Sequence, residues 1–200
     1  MNRKYKGKGE KMISDSLRTR RSFYQIDKNI PLSYEEVSYL IEDITELVPD
    51  AFNMKSSRVV LAFGDKHNAL WDQIYTCFDG KVSREKIDSF KAGAGTILYF
   101  IDQEIVDGMK KEYPLYADQF DSWSEQASGM LQINIWTALT EEGFGANIQH
   151  YNPVIDEKVK ELFDLPKNYK LMAQMPFGGI LEKPDPKEKE DISKRVKIFK

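Results

Sequence analysis

Apolar residues recur at helical spacing in several stretches of the chain. After Pro31, Ser33 and Glu36 form the pattern of a capping box, and apolar residues follow from Val37 to Leu47 at intervals of three and four. We therefore predict a helix that begins after Ser33 and ends before Pro49. Further helices are predicted over residues 12–19, 65–77, 83–90, 118–143 and 154–163, with one more following Asp102.

Short apolar runs rich in β-branched residues predict the strands. The clearest are Arg58–Phe63 (RVVLAF) and Thr96–Ile101 (TILYFI). The pattern also predicts strands over Ala146–Gln149 and Tyr169–Met175, and a final strand over Ile192–Phe199. Helices and strands are interspersed without regular βαβ units, which favours an α+β fold or a mixed α/β sheet covered by helices.

Length, charge and cysteine content limit the class of protein. The chain has 200 residues and a formal charge of −3, which suits one globular domain and argues against a general nucleic-acid binder. No apolar stretch approaches the ~20 residues of a membrane span. The single cysteine, Cys77, allows no internal disulfide, so we expect a cytoplasmic protein. Residues 1–11 are basic without a following apolar run, so we expect a flexible tail rather than a secretory signal, and one domain over residues 12–200.

A cationic cluster lies near each end of the chain. Arg18-Thr19-Arg20-Arg21-Ser22 follows the first predicted helix, and Lys194-Arg195-Val196-Lys197 lies in the last predicted strand. A guanidinium presents a planar fork of donors that matches phosphate oxygens and stays charged at any working pH. Two such clusters in an acidic protein suggest one compact anion held by both ends of the fold; the alternative is ordinary solvated charge.

Three interior segments carry polar groups that could meet a ligand. Asp50–Lys55 is a short loop that could present backbone N–H groups or serve only as a connector. Gln132 and Asn134 interrupt the apolar long helix, where their amides could face a ligand or tie helices together. In Gly143–His150 (GFGANIQH), the glycines allow a flat ligand to approach the backbone closely.

The residues show no strong candidate for a catalytic nucleophile or base. Alternation places Asn147 and Gln149 on one side of their strand and His150 on the other. We expect His150 to be packed rather than a general base, and His67, in a charged stretch, to lie at the surface. We expect Cys77 to be a core thiol because no base is paired with it. If the anion is a cofactor phosphate, the cofactor itself supplies the chemistry.

The order of five short motifs is more specific than any one of them. R-R-S comes first, then P-x-A-F-N, then G-x-G-A-N-x-Q-H-Y-N-P after the long helix, then P-F-G-G and R-V-K-x-F. This combination resembles the nitroreductase superfamily over about residues 12–200. Trp136–Leu139 and Gly145–Pro153 are most similar to the branch named after the yeast fatty-acid repression mutant protein.

The resemblance implies a fold, an assembly and a cofactor. The fold would be α+β, with a central mixed β-sheet flanked by helices, in a domain-exchanged homodimer with flavin mononucleotide (FMN) at the subunit interface. By motif, Arg20, Arg21 and Ser22 should contact FMN, with Arg20 on its phosphate. Arg195 and Lys197 should complete the phosphate site.

Further site residues follow from the same resemblance. Asp50, Ala51 and Asn53 should approach FMN from the other subunit, although family members often have serine at the position of Asp50. The strand after the long helix should lie against the flavin ring. The remaining candidates for cofactor binding are Gln132, Ala146, Asn147, Ile148 and Gln149.

The implied activity is that of an FMN-dependent NAD(P)H oxidoreductase. NAD(P)H would be the reductant, and a nitroaromatic, quinone or peroxide would be the acceptor in a ping-pong reaction. Its partners would be a second copy of the chain and small molecules, with no nucleic acid and no membrane. One alternative is a flavin-binding regulatory or storage protein with little turnover; another is an FMN-free α/β binding domain.

Overall fold

The structure is a computed structural model that describes residues 13–188 and 190–200; the tail expected over residues 1–11 lies outside this range. Helices and strands are interspersed along the described chain. In order they are α1 (Ile13–Thr19), β1 (Ile26–Asp27), α2 (Tyr34–Leu47), β2 (Ser57–Phe63), α3 (Gly64–Cys77), α4 (Arg84–Lys91), β3 (Gly95–Asp102), α5 (Gln103–Glu112), α6 (Phe120–Glu141), β4 (Gly145–Ala146), α7 (Asp156–Phe163) and β5 (Tyr169–Ile180). Short 3₁₀ helices cover Ala51–Asn53, Pro114–Gln119 and Ile192–Lys194.

Side-chain caps fix the start of α2 and α5. The Ser33 hydroxyl accepts a hydrogen bond from the Glu36 backbone N–H at 3.3 Å, and the Glu36 carboxylate accepts one from the Ser33 N–H at 2.8 Å. This is the predicted capping box of α2. The Asp102 carboxylate caps α5 by accepting from the Glu104 N–H at 3.2 Å, also as predicted. Each cap satisfies a backbone donor that the helix itself leaves without a partner.

The sheet has the strand order β1-β5-β3-β2, and β4 also pairs with β5. These strand pairs are antiparallel. In the described part of the chain, one parallel bridge joins Ser22, which lies outside the strands, to Ala146 of β4. The predicted α+β class, with a central sheet flanked by helices, is confirmed.

Strand β3 lies at the centre of the fold and is buried along its whole length. Ile97 and Tyr99 pack into an apolar layer with residues of α2 and α6 on one face of the sheet. Leu98 and Phe100 pack into a second layer with residues of α3, α4 and α7 on the other face. Burial on both faces explains why this strand reads as an unbroken apolar run.

Two glycines let the chain after α1 lie against β5. A Cβ atom on Gly178 would come within 2.2 Å of the Asp27 carbonyl oxygen, and one on Gly179 within 2.2 Å of the Asn29 carbonyl oxygen. Only glycine fits at this separation. The P-F-G-G motif therefore brings β1, and the arginines just before it, to the edge of the sheet.

The strand predicted over Ile192–Phe199 is wrong. The structure has one 3₁₀ turn over Ile192–Lys194 and then irregular chain, and the Phe199 side chain is 93% exposed. A strand requires a neighbouring strand to accept and donate its backbone hydrogen bonds. Within residues 13–188 and 190–200, no strand pairs with this segment.

Candidate functional site

The arginine segment after α1 is joined directly to the start of the predicted cofactor strand. The Arg20 N–H donates to the Ser16 carbonyl oxygen at 2.8 Å, which ends the helix. Ser22 then forms the parallel bridge to Ala146, and the Phe23 N–H donates to the Ala146 carbonyl oxygen at 3.0 Å. Two motifs separated by more than a hundred positions in the sequence are therefore adjacent in space.

A chain of buried amides strengthens this junction. The Asn147 side chain is fully buried, and its Nδ2 donates to the Phe23 carbonyl oxygen at 2.7 Å. Its Oδ1 accepts from Gln149 Nε2, also at 2.7 Å. The Gln149 backbone pairs with Gln174 on β5 in both directions, at 2.7 and 3.0 Å. The two polar groups of the Asn147 amide thus link Phe23 to Gln149. Ile148, between Asn147 and Gln149, is only partly buried.

Among the described residues, no carboxylate pairs with Arg20 or Arg21. The Arg20 guanidinium lies 4.1 Å from the centroid of the Trp136 ring on α6. Burial, and then the charge of Arg21, lower the pKa of Arg20. Arg21 Nη2 donates to the Asp185 carbonyl oxygen at 2.5 Å. In residues 13–188 and 190–200, neither guanidinium forms an ion pair, so both remain available to an anion.

A cleft of about 250 Å³ opens beside this segment. Its walls are Ser22 and the residues that follow it, together with the connector after β5, which includes Lys183 and Asp185. Tyr24 lines the cleft and is half exposed. The cleft thus combines a hydroxyl, an ammonium group and an aromatic wall with the carboxylates of Glu182 and Asp185, next to the two arginines.

The loop over residues 50–55 lies at a second and larger opening. Its groove has a volume of about 670 Å³ and is lined by Asp50, Asn53, Lys55 and Arg58, together with apolar side chains of α2, β2 and α6. The lining thus joins two cations, an amide and the carboxylates of Glu42, Glu46 and Asp50 to an apolar wall. Ala51 begins the 3₁₀ turn in this loop and is partly buried.

The Asp50 carboxylate is used inside its own loop. One oxygen, Oδ2, accepts from the Ser56 backbone N–H and from the Ser56 hydroxyl, both at 2.8 Å. The other oxygen, Oδ1, is buried and has no hydrogen-bond partner in the described part of the chain. The carboxylate therefore closes the loop, which gives the aspartate a structural function where family members often have serine.

Gln132 is held by its own helix. It is partly buried, and its Nε2 donates to the Ser128 hydroxyl one turn earlier at 3.0 Å. Asn134 is exposed and donates to the Met130 carbonyl oxygen at 2.8 Å. Met130 and Ile133, on the same helix, are 41% and 36% exposed. One side of α6 therefore presents apolar surface in the single chain.

The C-terminal cations lie on an exposed segment. The Arg195 side chain is 69% exposed, and its Nη1 lies 2.8 Å from the Glu190 carboxylate. Lys197 is also exposed. The contacts of a single chain thus connect Arg195 with a nearby carboxylate, and they do not place it beside Arg20.

Both histidine predictions are wrong. His150 is exposed rather than packed. His67 is buried rather than at the surface: the Thr96 hydroxyl lies 2.9 Å from Nδ1, and the Lys91 carbonyl oxygen lies 3.1 Å from Nε2. A carbonyl can only accept, so Nε2 carries the proton and Nδ1 accepts from Thr96, which in turn accepts from Trp71 Nε1 at 2.9 Å. Burial lowers the pKa of His67 to about 4.

Sequence reasoning missed two aromatic residues near the predicted site. Trp136 lies under Arg20, and its Nε1 is buried without a partner among the described residues. Phe52, inside the P-x-A-F-N motif, contacts four other aromatic rings. The sequence indicated Trp136 as part of the apolar helix and of the Trp136–Leu139 segment, and Phe52 as one residue of the P-x-A-F-N motif, but it assigned neither residue a contact in the site.

The described residues contain no group of metal-ligating side chains that could hold an ion. They also contain no helix with the length and apolar character that crossing a bilayer requires.

Comparison with known proteins agrees with this arrangement. A model of the Nitroreductase family matches residues 17–179. Two proteins of Saccharomyces cerevisiae are similar over nearly their whole length: HBN1 is 29% identical and nitroreductase FRM2 is 26% identical, each across 92% of this chain and 95% of its own. These relatives confirm the branch indicated by the motifs.

Solved structures share the fold. Nitroreductase CinD from Lactococcus lactis, solved in complexes with chloramphenicol, nicotinic acid and 4-nitrophenol, is 38–39% identical. Its chloramphenicol complex has a TM-score of 0.90 and covers 94% of this chain and 100% of that one. A protein from Exiguobacterium sibiricum in complex with FMN shares the fold at a TM-score of 0.73 and 15% identity, covering 97% of this chain and 100% of its own. The chain therefore belongs to the nitroreductase family.

Proposed function

We propose that the protein is an FMN-dependent NAD(P)H oxidoreductase that acts as a homodimer with FMN at the subunit interface. Membership of the nitroreductase family supports an oxidoreductase. The observation that carries the proposal is the junction of Ser22 with Ala146, because it joins the arginine cluster to the strand that the family resemblance predicts against a flavin ring.

The donor set near this junction fits a phosphomonoester. Such a group carries nearly two negative charges at neutral pH and needs compensating cations when it loses water. Arg20 and Arg21 offer two guanidiniums that form no described ion pair, and Ser22 adds a hydroxyl. Arg20 would hold the phosphate in a bidentate hydrogen bond, since the Trp136 ring below it limits its freedom to move.

Other residues would orient and enclose the cofactor. Asn147 and Gln149 would fix the strand so that Ala146 and Ile148 can form its contact surface with the ring. Asn53 would reach the cofactor of the partner subunit from the 50–55 loop. When bound, FMN would supply the hydride transfer between NAD(P)H and the acceptor, in a ping-pong order.

We propose nitroaromatics as the first class of acceptor to test, with quinones and peroxides next. CinD has been solved with 4-nitrophenol bound, which supports this order. CinD is named a nitroreductase, which favours an enzyme with turnover over a flavin-storage protein for this chain.

The exposed apolar side of α6 and the exposed C-terminal segment support the homodimer. Met130 and Ile133 lie on that side of the helix, and Ile198 and Phe199 are 78% and 93% exposed. Apolar surface of this kind is typical of an interface between subunits. Light scattering should give the mass of a dimer, and a monomer with FMN fully bound would contradict the proposal.

Absorption spectroscopy tests the cofactor and the activity together. The purified protein, supplied with FMN, should be yellow, and NADH or NADPH should bleach it in the absence of oxygen. Addition of 4-nitrophenol should then restore the absorption band of the oxidised flavin, read at a wavelength where 4-nitrophenolate does not absorb. A protein that takes up no FMN would overturn the proposal, and one that binds FMN but is bleached by neither nucleotide would instead be a flavin-binding protein with little turnover.

A further inference from the structure

The loop over residues 50–55 contains three non-glycine residues with left-handed backbone. The φ angle is 55° at Phe52, 52° at Asn53 and 55° at Lys55. L-residues rarely adopt this region, and a bulky one persists there only when its surroundings hold it in place. Such backbone is concentrated at functional sites, and this loop contributes Asn53 to the groove described above.

The surroundings that hold Phe52 are four aromatic rings. The centroid of its ring lies 4.8 Å from that of Tyr113 and 5.3 Å from that of Phe120. Trp123 is stacked on it at 5.6 Å with an interplanar angle of 22°, and Tyr116 lies at 5.8 Å. These four residues, here called the ring cluster, come from the end of α5, the following 3₁₀ helix and the start of α6.

The two neighbours of Asn53 are anchored, while Asn53 itself is free to meet a ligand. Phe52 lies in the ring cluster, and Met54 is buried in an apolar cluster with Ile101 and Phe120. Asn53 is exposed between them and lines the groove of about 670 Å³. The Asn53 backbone N–H donates to the Asp50 carbonyl oxygen at 2.9 Å, so the turn itself is also closed.

We infer that Phe52 is a positioning residue of the flavin site, whose packing in the ring cluster fixes Asn53 in the geometry that binds FMN of the partner subunit. The inference rests on the proposed function. Holding the loop in its bound conformation in advance lowers the ordering cost of binding, which raises affinity without adding a contact. Phe52 is 48% exposed, so its removal takes little from the core.

Two variants separate the ring from the backbone angle. Phe52→Ala removes the ring and keeps the strained angle, whereas Phe52→Gly removes the ring and relieves the strain. Both should raise the FMN dissociation constant of the dimer by about tenfold or more, because misplacement of a binding group is costly. Phe52→Tyr keeps the ring, so its FMN dissociation constant should stay within about twofold of that of the original protein.

Thermal unfolding distinguishes positioning from a general loss of stability. A purely structural role would lower the melting temperatures of the FMN-free and FMN-bound protein equally, whereas a positioning role should shrink the increase that FMN produces. Leu115→Ala is the matched control, because Leu115 lies next to Tyr116 and is 84% exposed. Leu115→Ala should leave unchanged both the FMN dissociation constant and the increase in melting temperature that FMN produces.

The outcomes separate the two proposals. If the original protein binds FMN and Phe52→Ala binds it equally well, this inference is overturned and the proposed function stands. If Phe52→Gly regains full affinity, the ring cluster has no positioning role. If the original protein takes up no FMN, the proposed function fails and this inference fails with it.

Discussion

The two cationic segments of the chain resemble each other in composition and differ in how they are built into the structure. Arg20, Arg21 and Ser22 are linked to a strand more than a hundred positions away by a parallel bridge and by buried amide hydrogen bonds. Arg195 is 69% exposed and pairs with Glu190, five positions before it. The first segment is thus fixed by contacts with residues distant in the sequence, whereas the Arg195 ion pair is with a residue only five positions away.

This difference shows which half of the proposed phosphate site exists within one chain. The first segment keeps its position without a second chain, because Ser22 forms a bridge to Ala146, and the Phe23 backbone directly after it is hydrogen-bonded to Ala146 and to Asn147. The second would need another surface, such as a second copy of the chain, to bring Arg195 to the same anion. The following predictions test the contrast between a segment that is fixed and one that depends on assembly.

Acid should weaken the buried core around His67, which lies apart from both segments and sets the overall stability that the fold provides. Because the pKa of His67 is about 4 in the folded protein and near 6.5 when unfolded, only the unfolded chain takes up a proton between these pH values. Stability should therefore be fully present above pH 6.5 and fall as the pH drops, by about 3 kcal/mol at pH 4 from this group alone. Urea unfolding at constant protomer concentration measures the loss.

His67→Gln is the control for this prediction. Glutamine keeps a donor and an acceptor for Lys91 and Thr96 but cannot titrate. The variant should lose about 3 kcal/mol less than the original protein between pH 7 and pH 4. An equal loss in both proteins would show that other groups cause the acid sensitivity.

Removal of Arg20 should weaken FMN binding while the fold persists. Arg20→Ala should cost about 1.5–3 kcal/mol of FMN binding free energy, the range for hydrogen bonds to charged groups. Arg18→Ala is the matched control, because Arg18 lies two positions earlier with its side chain 74% exposed and paired with Asp15. Fluorescence titration with FMN measures both, and an unchanged affinity for Arg20→Ala would remove this residue from the site.

Local chemistry made much of the fold predictable. The Ser33 and Glu36 capping box and the Asp102 cap are set by residues within a few positions of each other, and both appear as expected. The β3 run is apolar enough to predict burial by itself. Patterns of this kind locate helices and strands before any tertiary contact is known.

Features that depend on distant partners could not be predicted from the pattern. His67 stands in a charged stretch, yet Thr96 and Lys91, both more than twenty positions away, bury it and satisfy its ring. Ile192–Phe199 alternates like a strand, but a strand also needs a partner, and the pattern cannot supply one. The site was located mainly by family resemblance, because single polar residues such as Asn147 and Gln149 do not reveal which backbone they bind.

The amide link between the first segment and its strand should contribute measurably to stability. Asn147→Ala removes the donor to the Phe23 carbonyl oxygen and the acceptor of Gln149, and leaves both buried groups without that partner. The expected cost is about 1–3 kcal/mol of unfolding free energy. Asn29→Ala, at an exposed position between β1 and α2, is the control and should cost less than about 0.5 kcal/mol. If the two variants lose the same amount, the link does not fix the segment.

The smallest effect on stability is expected at the other end of the chain, where it gives the sharpest test of the contrast. Arg195→Ala should change the unfolding free energy by less than about 0.5 kcal/mol, because the pair with Glu190 is exposed to solvent. If assembly brings Arg195 to the FMN phosphate, the same variant should weaken FMN binding by about tenfold, and more at low salt than at high salt. Glu190→Gln removes the competing carboxylate and should leave the affinity equal or higher. An FMN affinity that Arg195→Ala does not change would mean that this segment is solvated charge, and that the first segment holds the anion without it.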